Sequence, residues 1–517
     1  MDRKSALASE PDAIGMELGS QSTAQSMRDT DRSLADSVVW NAVCDWGSQI
    51  LSWASFLVVM RLLTPADFGI AGLAAITLTY LGQITGFGIQ RGVVALRDLT
   101  RDQLSQLNAV SFGLGTSCFL VSTLIARPLA TFFKMPPLGA LVIVASSALV
   151  PLGLQTVSTG LLIKNMRFRL LSVLGAGSAV ISAIVTLTVA YLGFGYWALV
   201  MGNLVADVAR SIVVLSIVPC KLAWPRLRSI REPLRFCRSL IVSTFAFYSY
   251  EQTDNLVVGR VLGQATLGAY SAAWELANVP LEKLVTVIVT VIPSYLAAVQ
   301  NQPAALRRYL RILTEIISLA AFPATIGLAL VAHEIVPVVF GHKWDGMIGP
   351  LEVLSFYAGF RSIVALLQKI LIAVGNARYV MWNDLAALIV LPVAFYIGSF
   401  HGTVGVAWGW VLAYPLIALP LYRKTFQAID MKVGEYFRAV RPALEGSIVM
   451  VACVELLRFA LLHTWSLPIR LALEIAIGAL GYCAVLIVLH KKRILILIQG
   501  LFDLWSRRNR AASENAV

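Results

Sequence analysis

The chain has 517 residues, of which 58% are hydrophobic and only 14% are charged, and its formal net charge is +13. A soluble protein would carry about 25% charged residues, so this composition excludes an ordinary soluble domain and indicates a polytopic membrane protein. A nucleic-acid-binding protein would need a basic soluble face with interleaved aromatic residues, and the sequence has none.

The predicted membrane-spanning helices follow a polar tail, residues 1–38, which has no apolar core and is not expected to be a signal peptide. A spanning helix needs about 20 mostly apolar residues. Fourteen stretches meet this requirement, numbered here as helices 1 to 14: 39–62, 68–90, 108–126, 138–159, 170–192, 196–218, 239–262, 274–299, 312–332, 351–373, 379–399, 403–421, 442–463 and 470–490. No intervening segment is long enough for a separate aqueous domain.

A repeated phrase relates two parts of the chain. The letters LVVMRLLTPADFG at 57–69 return as LVVGRVLGQATLG at 256–268, with seven identities at a constant offset of 199 residues. In each copy an apolar helix ends, an arginine lies at its exit, and a short turn leads into the next helix. In the first copy Thr64, Pro65 and Asp67 predict an N-terminal capping box with proline at the first helical position.

The repeat predicts an all-α polytopic fold with two parallel six-helix lobes around a central cavity, plus two extra C-terminal helices. A second pair of similar segments supports this plan. GFGYWA at 193–198 connects the last two helices of the N-lobe, and GTVGVA at 402–407 connects the last two helices of the C-lobe. Six helices preserve orientation, so the lobes are related by an axis along the membrane normal. The expected divisions are a cytoplasmic tail 1–38, the N-lobe 39–218, a basic cytoplasmic connector 219–238, the C-lobe 239–421, a cytoplasmic connector 422–441, helices 13 and 14 at 442–490, and an amphipathic basic cytoplasmic tail 491–517.

The positive-inside rule places both termini in the cytoplasm. With that orientation most of the 42 Lys and Arg residues lie on the cytoplasmic side, and the connector 219–238 alone holds six of them. Arg61 and Arg260 lie at matched exterior helix exits in the two lobes. Since a substrate is seldom symmetric, a shared structural role such as headgroup anchoring is favoured there over substrate binding.

Motifs for catalysis and for cofactors are absent from the sequence. It contains no GxxxxGK[ST] for ATP, no HExxH, no GxSxG and no His/Cys spacing typical of a metal site. Fourteen helices without a catalytic cluster favour transport over catalysis, and neither a cofactor nor a metal is expected.

Polar residues inside the spans are the candidates for lining a transport cavity. Helix 1 carries five polar residues on one face, and its repeat equivalent, helix 7, carries four on a similar face. Polar contacts between helices are the alternative, although five positions exceed what packing needs. The candidate lining residues are Asn41, Asp45, Ser48, Ser52, Ser55, Tyr80, Gln83, Gln90, Thr244, Tyr248, Glu251 and Asp254.

Intramembrane cations are the candidates for binding an anionic substrate, because an unneutralised charge in a bilayer is costly. Arg361 and Lys369 on helix 10 are the leading candidates for binding this substrate. The one acid of that helix, Glu352, lies more than two turns from Arg361. Arginine suits phosphate through its two-pronged donor geometry. The alternative is that helix 10 pairs with an acid of helix 7. Arg210 and Lys283 also qualify, although a nearby acid favours local pairing for each.

The two acids of helix 7, Glu251 and Asp254, are candidates for coupling transport to a proton or a sodium ion. Buried carboxylates titrate readily in a low dielectric. The same two residues fit equally well a role in neutralising helix 10. On helix 13, Arg458 is expected to pair locally with Glu455.

Four stretches resemble the polysaccharide transport family of the multidrug, oligosaccharidyl-lipid and polysaccharide exporter superfamily. They are RLLTPADFG at 61–69, GFGYWALV at 193–200, YEQTDNLVVGRVLGQATLGAYSAA at 250–273 and VVFGHKW at 338–344. The Asp-Asn stretch of helix 7 is the most specific part, and the likeness extends over roughly residues 37–430. The sequence looks closest to Wzx-type flippases of exopolysaccharide, capsule or O-antigen repeat units.

The resemblance implies a bacterial inner-membrane flippase, not an enzyme, for an oligosaccharide repeat unit carried on a polyprenyl pyrophosphate. The head group would cross from cytoplasm to periplasm by alternating access without ATP, with cations holding the pyrophosphate and hydroxyls, amides and aromatics facing the sugars. The implied partners are bilayer lipids and a polysaccharide polymerase with its export machinery, and no nucleic acid.

Three other functions compete with this interpretation. A drug/cation antiporter of the same superfamily would need an acidic, aromatic cavity without excess cations on helix 10. A lipid II flippase would share the pyrophosphate chemistry. A membrane glycosyltransferase or polymerase would need acidic catalytic motifs and usually a large extramembrane loop, and no loop here is long enough.

Overall fold

The computed structural model describes residues 46–96, 99–226, 230–231, 251–279, 302–461, 465–491 and 493. Within these ranges the chain is helical and has no β-strand, which confirms the all-α prediction. The described residues include ten helices that are long and apolar enough to cross a membrane. The total of fourteen stays a prediction, because helices 1, 7 and 8 lie partly outside the described residues and helix 13 is not among the ten.

The first half of the described chain consists of helices that pack mainly on one another. They are α1 (46–62), α2 (Pro65–Gly82), α3 (Gly88–Ala95), α4 (Arg101–Phe133), α5 (Pro136–Ser146), α6 (Leu149–Lys164), α7 (Phe168–Tyr191) and α8 (Trp197–Ile217). Helix α4 packs on α6, α2 on α5, and α7 on α8.

The second half repeats this plan. Its helices are α9 (Thr253–Val261), α10 (264–279), α11 (Pro303–Leu330), α12 (Ala332–Ile335), α13 (Ile348–Ala373), α14 (Ala377–Ser399) and α15 (Gly402–Ile429). A π-helical turn, Val336–Phe340, and a 3-10 helix, His342–Met347, connect α12 to α13. Helix α14 packs on α15 as α7 packs on α8, in agreement with the predicted repeat.

Capping residues set where several of these helices begin. The predicted capping box is confirmed: the backbone N–H of Asp67 donates to Thr64 Oγ1 over 3.3 Å, and the backbone N–H of Thr64 donates to Asp67 Oδ2 over 3.0 Å. Pro65 occupies the first turn, where its missing N–H costs nothing. Thr100 and Gln103 form a second capping box that starts α4.

Two predicted spans are interrupted in the structure. Helix 2 is divided into α2 and α3 by a π-helical turn, Gln83–Phe87. Helix 4 is divided into α5 and α6 beside Ser146 and Ser147, whose hydroxyls donate to carbonyls three residues earlier at 3.1 and 2.6 Å. Serine hydroxyls that bond to backbone in this way compete with the regular helical pattern, which accounts for the break.

A network of ion pairs attaches the last two described helices, α16 (Val433–Leu461) and α17 (Leu467–Leu489), to the second half. Arg458 contacts Glu455, as predicted, at 3.0 Å, and it also contacts Glu474 at 3.0 Å and Glu334 of α12 at 3.1 Å. Arg470 also forms ion pairs with Glu474, at 3.1 Å, and with Glu334, at 3.0 Å. The side chains of Glu334 and Glu474 are almost fully buried, so each depends on these arginines for its charge balance.

Candidate functional site

Arg361 lies near the middle of α13 and draws its partners from two other segments of the second half. Its guanidinium forms an ion pair with Glu251, donates to Asn278 Oδ1 over 3.4 Å, and lies 5.9 Å from the ring centre of Trp274. The predicted alternative, in which helix 10 pairs with an acid of helix 7, is therefore the arrangement in the structure. The side chains of Arg361 and Glu251 are 23% and 15% exposed, so neither is sealed in the core.

Stacked aromatic rings support this group from behind. Trp274 lies 5.2 Å from Trp410 and 5.9 Å from Tyr357, and the rings of Tyr357 and Trp410 stack at 4.7 Å. Tyr357 and Trp410 are buried, whereas Trp274 is half-buried. The cluster therefore holds a large aromatic ring in a fixed place beside the Arg361 guanidinium, and the combination suits a ligand with both an anionic group and apolar ring faces.

Asp254, one turn after Glu251, is fully buried and has three donors. Tyr270 Oη donates to Asp254 Oδ2 over 2.9 Å, and Trp410 Nε1 donates to the same oxygen over 2.8 Å. The backbone N–H of Asn255 donates to Oδ1 over 2.7 Å. The Asp-Asn stretch thus joins α9, α10 and α15. The Asp254 carboxylate accepts hydrogen bonds from groups of the protein itself.

An acid that the sequence analysis missed, Asp384 of α14, faces Arg361's helix. Gln368 Nε2 donates to Asp384 Oδ1 over 3.3 Å. A search for acids within all the predicted spans, and not only for cations, would have found it.

Of the other predicted cations, the two that lie in the described residues are not brought to Arg361. Lys369 is exposed and follows Arg361 by two helical turns, a separation of about 12 Å along the axis. Arg210 is half-buried on α8 of the first half, three residues after Asp207. Lys283 lies outside the described residues.

The predicted lining residues divide by position and burial. Ser52 is exposed, whereas Ser55 and Gln83 are buried. Half-buried residues of the same set are Ser48, Tyr80 and Gln90. Outside the described residues lie Asn41, Asp45, Thr244 and Tyr248.

Arg61, at the exit of α1, binds the other half of the protein. Its Nε donates to the carbonyl of Val339 over 2.8 Å, and its Nη2 donates to the carbonyl of Val338 over 2.5 Å. Its repeat equivalent, Arg260, lies 4.9 Å above the ring of Phe132 at the end of α4. Both exit arginines therefore make contacts between the halves, and headgroup anchoring stays a prediction.

The VVFGHKW stretch completes this contact, although the sequence analysis assigned it no role. Lys343 Nζ donates to the carbonyls of Arg61 and Leu63 over 2.8 and 2.6 Å, and Trp344 Nε1 donates to the carbonyl of Met60 over 2.8 Å. The last carbonyls of a helix have no partner within it. Side chains of the second half supply those partners for α1.

No group of three or more His, Cys, Asp and Glu residues in the described parts of the chain is placed to hold a metal ion. The arrangement around Arg361 consists of a cation paired with a carboxylate, an amide and an aromatic ring.

Comparison with known proteins identifies relatives of the whole chain. The succinoglycan biosynthesis transport protein ExoT of Rhizobium meliloti (strain 1021) is 23% identical over 492 residues, which cover 94% of this chain and 98% of ExoT. The lipopolysaccharide biosynthesis protein WzxC of Escherichia coli (strain K12) is 24% identical over 408 residues, which cover 77% of this chain and 81% of WzxC.

A solved structure shares the fold. The lipid II flippase MurJ in an inward closed conformation superposes with a TM-score of 0.70 at 13% identity, covering 88% of this chain and all of that one. A family model described as "Polysaccharide biosynthesis protein" matches residues 58–349, which is more than half of the chain. The chain therefore belongs to this family of polysaccharide biosynthesis proteins, and it is a multi-pass bacterial membrane protein.

Proposed function

We propose that the protein is a flippase for polyprenyl-pyrophosphate-linked oligosaccharide repeat units. It moves them from the cytoplasmic to the outer face of the plasma membrane for exopolysaccharide, capsule or O-antigen biosynthesis, by alternating access and without ATP. The observation that carries the proposal is Arg361, a half-buried intramembrane cation beside Trp274 and Asn278. The names of ExoT and WzxC, a transport protein and a lipopolysaccharide biosynthesis protein, support the substrate class.

In this proposal Arg361 exchanges one anionic partner for another. Glu251 neutralises the guanidinium while the transporter is empty, which lowers the cost of keeping a charge inside the membrane. The pyrophosphate then replaces Glu251 through the two-pronged geometry that arginine offers to phosphate oxygens. The sugar next to the pyrophosphate packs against the half-buried ring of Trp274, and Asn278 supplies an amide for its hydroxyls.

Other residues are proposed to bind the substrate or to line the cavity. Lys369 provides a second positive charge two turns along α13, and Arg210 provides one from the first half. Lys283 remains a proposed pyrophosphate-binding residue, and the polar residues of helices 1, 2 and 7 remain proposed members of the cavity wall. The two six-helix lobes, 39–218 and 239–421, move relative to each other around this cavity.

Orientation and coupling are also part of the proposal. The distribution of Lys and Arg supports cytoplasmic N- and C-termini. Glu251 is the proposed coupling group, because it is partly exposed and exchanges partners in the cycle. Asp254, the other candidate, is already occupied by Tyr270 and Trp410, and these bonds support a structural role.

The decisive experiment uses a strain that lacks this gene and keeps its glycosyltransferases. Lipid-linked oligosaccharides are extracted and assigned to a membrane face by their accessibility to an impermeant glycosidase or oxidant, and secreted polysaccharide is weighed. We expect complete repeat units on the cytoplasmic face and little secreted polymer. Normal polymer with normal intermediates, in a strain without a second flippase, would exclude the proposal.

The same strain separates the alternative transporters. A lipid II flippase predicts that the deletion interrupts cell-wall synthesis and that this gene rescues cells depleted of their own lipid II flippase. A drug/cation antiporter predicts an altered sensitivity to cationic drugs with unchanged polymer. Neither outcome is expected here.

A further inference from the structure

The segment that follows α8 is attached to the first half of the protein through its backbone. Ser158 Oγ of α6 donates a hydrogen bond to the carbonyl of Val218 over 2.8 Å, and Asn108 Nδ2 of α4 donates to the carbonyl of Cys220 over 3.4 Å. Both donor residues are fully buried. Because a buried polar group that loses its partner is costly, these two side chains hold the segment firmly in place.

Two further hydrogen bonds continue this attachment along α4. The backbone N–H of Ala223 donates to the carbonyl of Ser105 over 3.3 Å, and the backbone N–H of Arg226 donates to Oε1 of the buried Gln106 over 2.9 Å. Residues 218–226 are called the connector strap below. All four hydrogen bonds end on the backbone of the connector strap, so they fix its course without using any of its side chains.

The side chains of the connector strap alternate between exposed and half-buried positions. Leu222, Trp224 and Arg226 are exposed, whereas Ala223 and Pro225 between them are half-buried. This alternation is typical of an extended segment that lies with one side on the protein. A residue before proline also favours an extended backbone, and Trp224 is such a residue. Because Leu222 is 53% exposed and Trp224 is 89% exposed, two large apolar side chains point away from the first half.

The connector strap lies at the depth where membrane-spanning helices of the first half end. It begins directly after Ile217, the last residue of α8, and Ser158 lies six residues before the last residue of α6. The proposed orientation places this end of both helices at the cytoplasmic surface. Tryptophan is enriched at such boundaries, because its ring is apolar and its N–H is polar. The exposed indole of Trp224 therefore suits the headgroup region of the inner leaflet.

Positive charge accompanies the two exposed apolar side chains. Lys221 and Arg226 are exposed within the connector strap, and Arg231 is exposed shortly after it. The sequence of the connector strap, VPCKLAWPR, contains no acid. Cations beside leucine and tryptophan are typical of segments that bind an anionic membrane surface, where the cations attract phosphate groups and the apolar side chains enter the interface.

We propose that the connector strap is a binding site for anionic phospholipid headgroups of the cytoplasmic leaflet. Leu222 and Trp224 enter the headgroup region, and Lys221 and Arg226 bind the phosphate groups. The bound lipid is thereby attached to the first half, at the point where the chain leaves for the second half. This proposal goes beyond the transport function: it needs the proposed cytoplasmic orientation but no particular transported substrate.

Fluorescence quenching in nanodiscs tests whether the side chains enter the headgroup region. In a variant whose six native cysteines are replaced by alanine, Leu222→Cys carries a bimane label. The nanodiscs contain equal parts of phosphatidylcholine and phosphatidylglycerol, and one of the two lipids carries a nitroxide. We expect strong quenching by a headgroup nitroxide on phosphatidylglycerol, weaker quenching by one on phosphatidylcholine, and little by a nitroxide at the end of an acyl chain. Trp224→Ala is expected to reduce the quenching, whereas Trp382→Ala, which removes an exposed tryptophan of α14, is not.

A titration in uncharged detergent tests the preference for anionic lipid. Nitroxide-labelled phosphatidylglycerol is added to the bimane-labelled protein, and the apparent affinity is taken from the quenching. Lys221→Ala with Arg226→Ala is expected to weaken this affinity about thirtyfold, since each cation near an anionic surface contributes about fivefold. The control is Lys432→Ala with Arg438→Ala, which removes two exposed cations beside the start of α16 and is expected to leave the affinity unchanged.

The outcomes separate this proposal from the proposed function. The variants are expected to keep the native melting temperature, because the connector strap is attached through its backbone. Absence of headgroup quenching in folded protein, or an equal affinity for both phospholipids, would overturn the proposal, as would a preference for polyprenyl phosphate over phosphatidylglycerol. Labelling of Leu222→Cys by an impermeant maleimide added outside intact cells would also overturn it. None of these measurements involves transport, so normal export in the deletion strain would overturn only the proposed function.

Discussion

The indole nitrogen of Trp410 donates a hydrogen bond to the buried carboxylate of Asp254 over 2.8 Å and so joins α15 to α9. Tyr270 adds a second side-chain donor from α10. The same Trp410 ring stacks on Tyr357 and supports Trp274. One buried carboxylate therefore fixes the aromatic cluster beside Arg361, which explains why an acid lies so deep in the second half.

This relationship predicts a loss of stability when the Trp410 donor is removed. Trp410→Phe keeps a ring but deprives Asp254 of one partner, so we expect a destabilisation of about 1–3 kcal/mol. Thermal unfolding of the detergent-solubilised protein measures it. The matched control is Trp408→Phe on the same helix, where the side chain is exposed and the expected change is within about 0.5 kcal/mol. Equal effects of the two changes would refute the assigned role of Asp254.

The ion pair of Arg361 and Glu251 predicts different outcomes for folding and for transport. Arg361→Ala removes the arginine from its ion pair with Glu251, at a cost of at most about 3–5 kcal/mol, the value for a fully buried pair. The exchange of charges, Arg361→Glu with Glu251→Arg, restores an ion pair. We expect it to recover protein level and melting temperature but not polymer export, because the cation no longer projects from α13.

The single and exchanged variants are compared by membrane protein level, melting temperature and secreted polymer. Arg441→Glu with Glu445→Arg, an exposed pair on α16, is the control and is expected to change none of them. Recovery of export in the exchanged Arg361 variant would limit Arg361 to a structural role.

Local relationships in this protein could be predicted from the sequence, because their partners are three or four residues apart. The capping box of Thr64 and Asp67 and the pair of Arg458 and Glu455 are examples. The repeat at a 199-residue offset also predicted the two-lobed plan, since equivalent sequences form equivalent helix exits.

Distant partners could not be assigned in the same way. Two acids of helix 7 were equally available to Arg361, and the choice of Glu251 depends on how the helices rotate about their axes. Lys343 and its acceptor, the Arg61 carbonyl, are separated by 282 residues. Every residue has a backbone carbonyl, so the sequence does not indicate which one accepts a hydrogen bond. The backbones of Gly69 and Gly268 approach each other closely in the structure. The repeat showed that the two positions are equivalent, but identity between two segments does not say that they touch.

The ion pairs of Arg458, which connect α16 to α17 and to Glu334, predict a large loss of protein stability when this one arginine is removed. Arg458→Ala leaves the buried Glu334 and Glu474 short of positive charge, and we expect a destabilisation of about 3–5 kcal/mol. Glu455→Gln removes the exposed partner only, so its cost should stay below about 1 kcal/mol. Melting temperatures of the purified variants decide this, and similar values for both would show that the buried acids do not depend on Arg458.

The half-buried ring of Trp274 predicts a change in transport that is separate from folding. Trp274→Phe keeps aromatic packing on Trp410 and Tyr357 but presents a smaller ring beside Arg361. We expect a melting temperature close to that of the native protein and a substrate affinity lower by about 1 kcal/mol, equivalent to about a fivefold loss. The measurement is binding of the extracted lipid-linked oligosaccharide to purified protein in detergent, with Trp382→Phe, an exposed tryptophan of α14, as the control. Unchanged binding by the Trp274 variant would show that this ring does not contact the substrate. The proposed pyrophosphate contact at Arg361 would then be tested by itself.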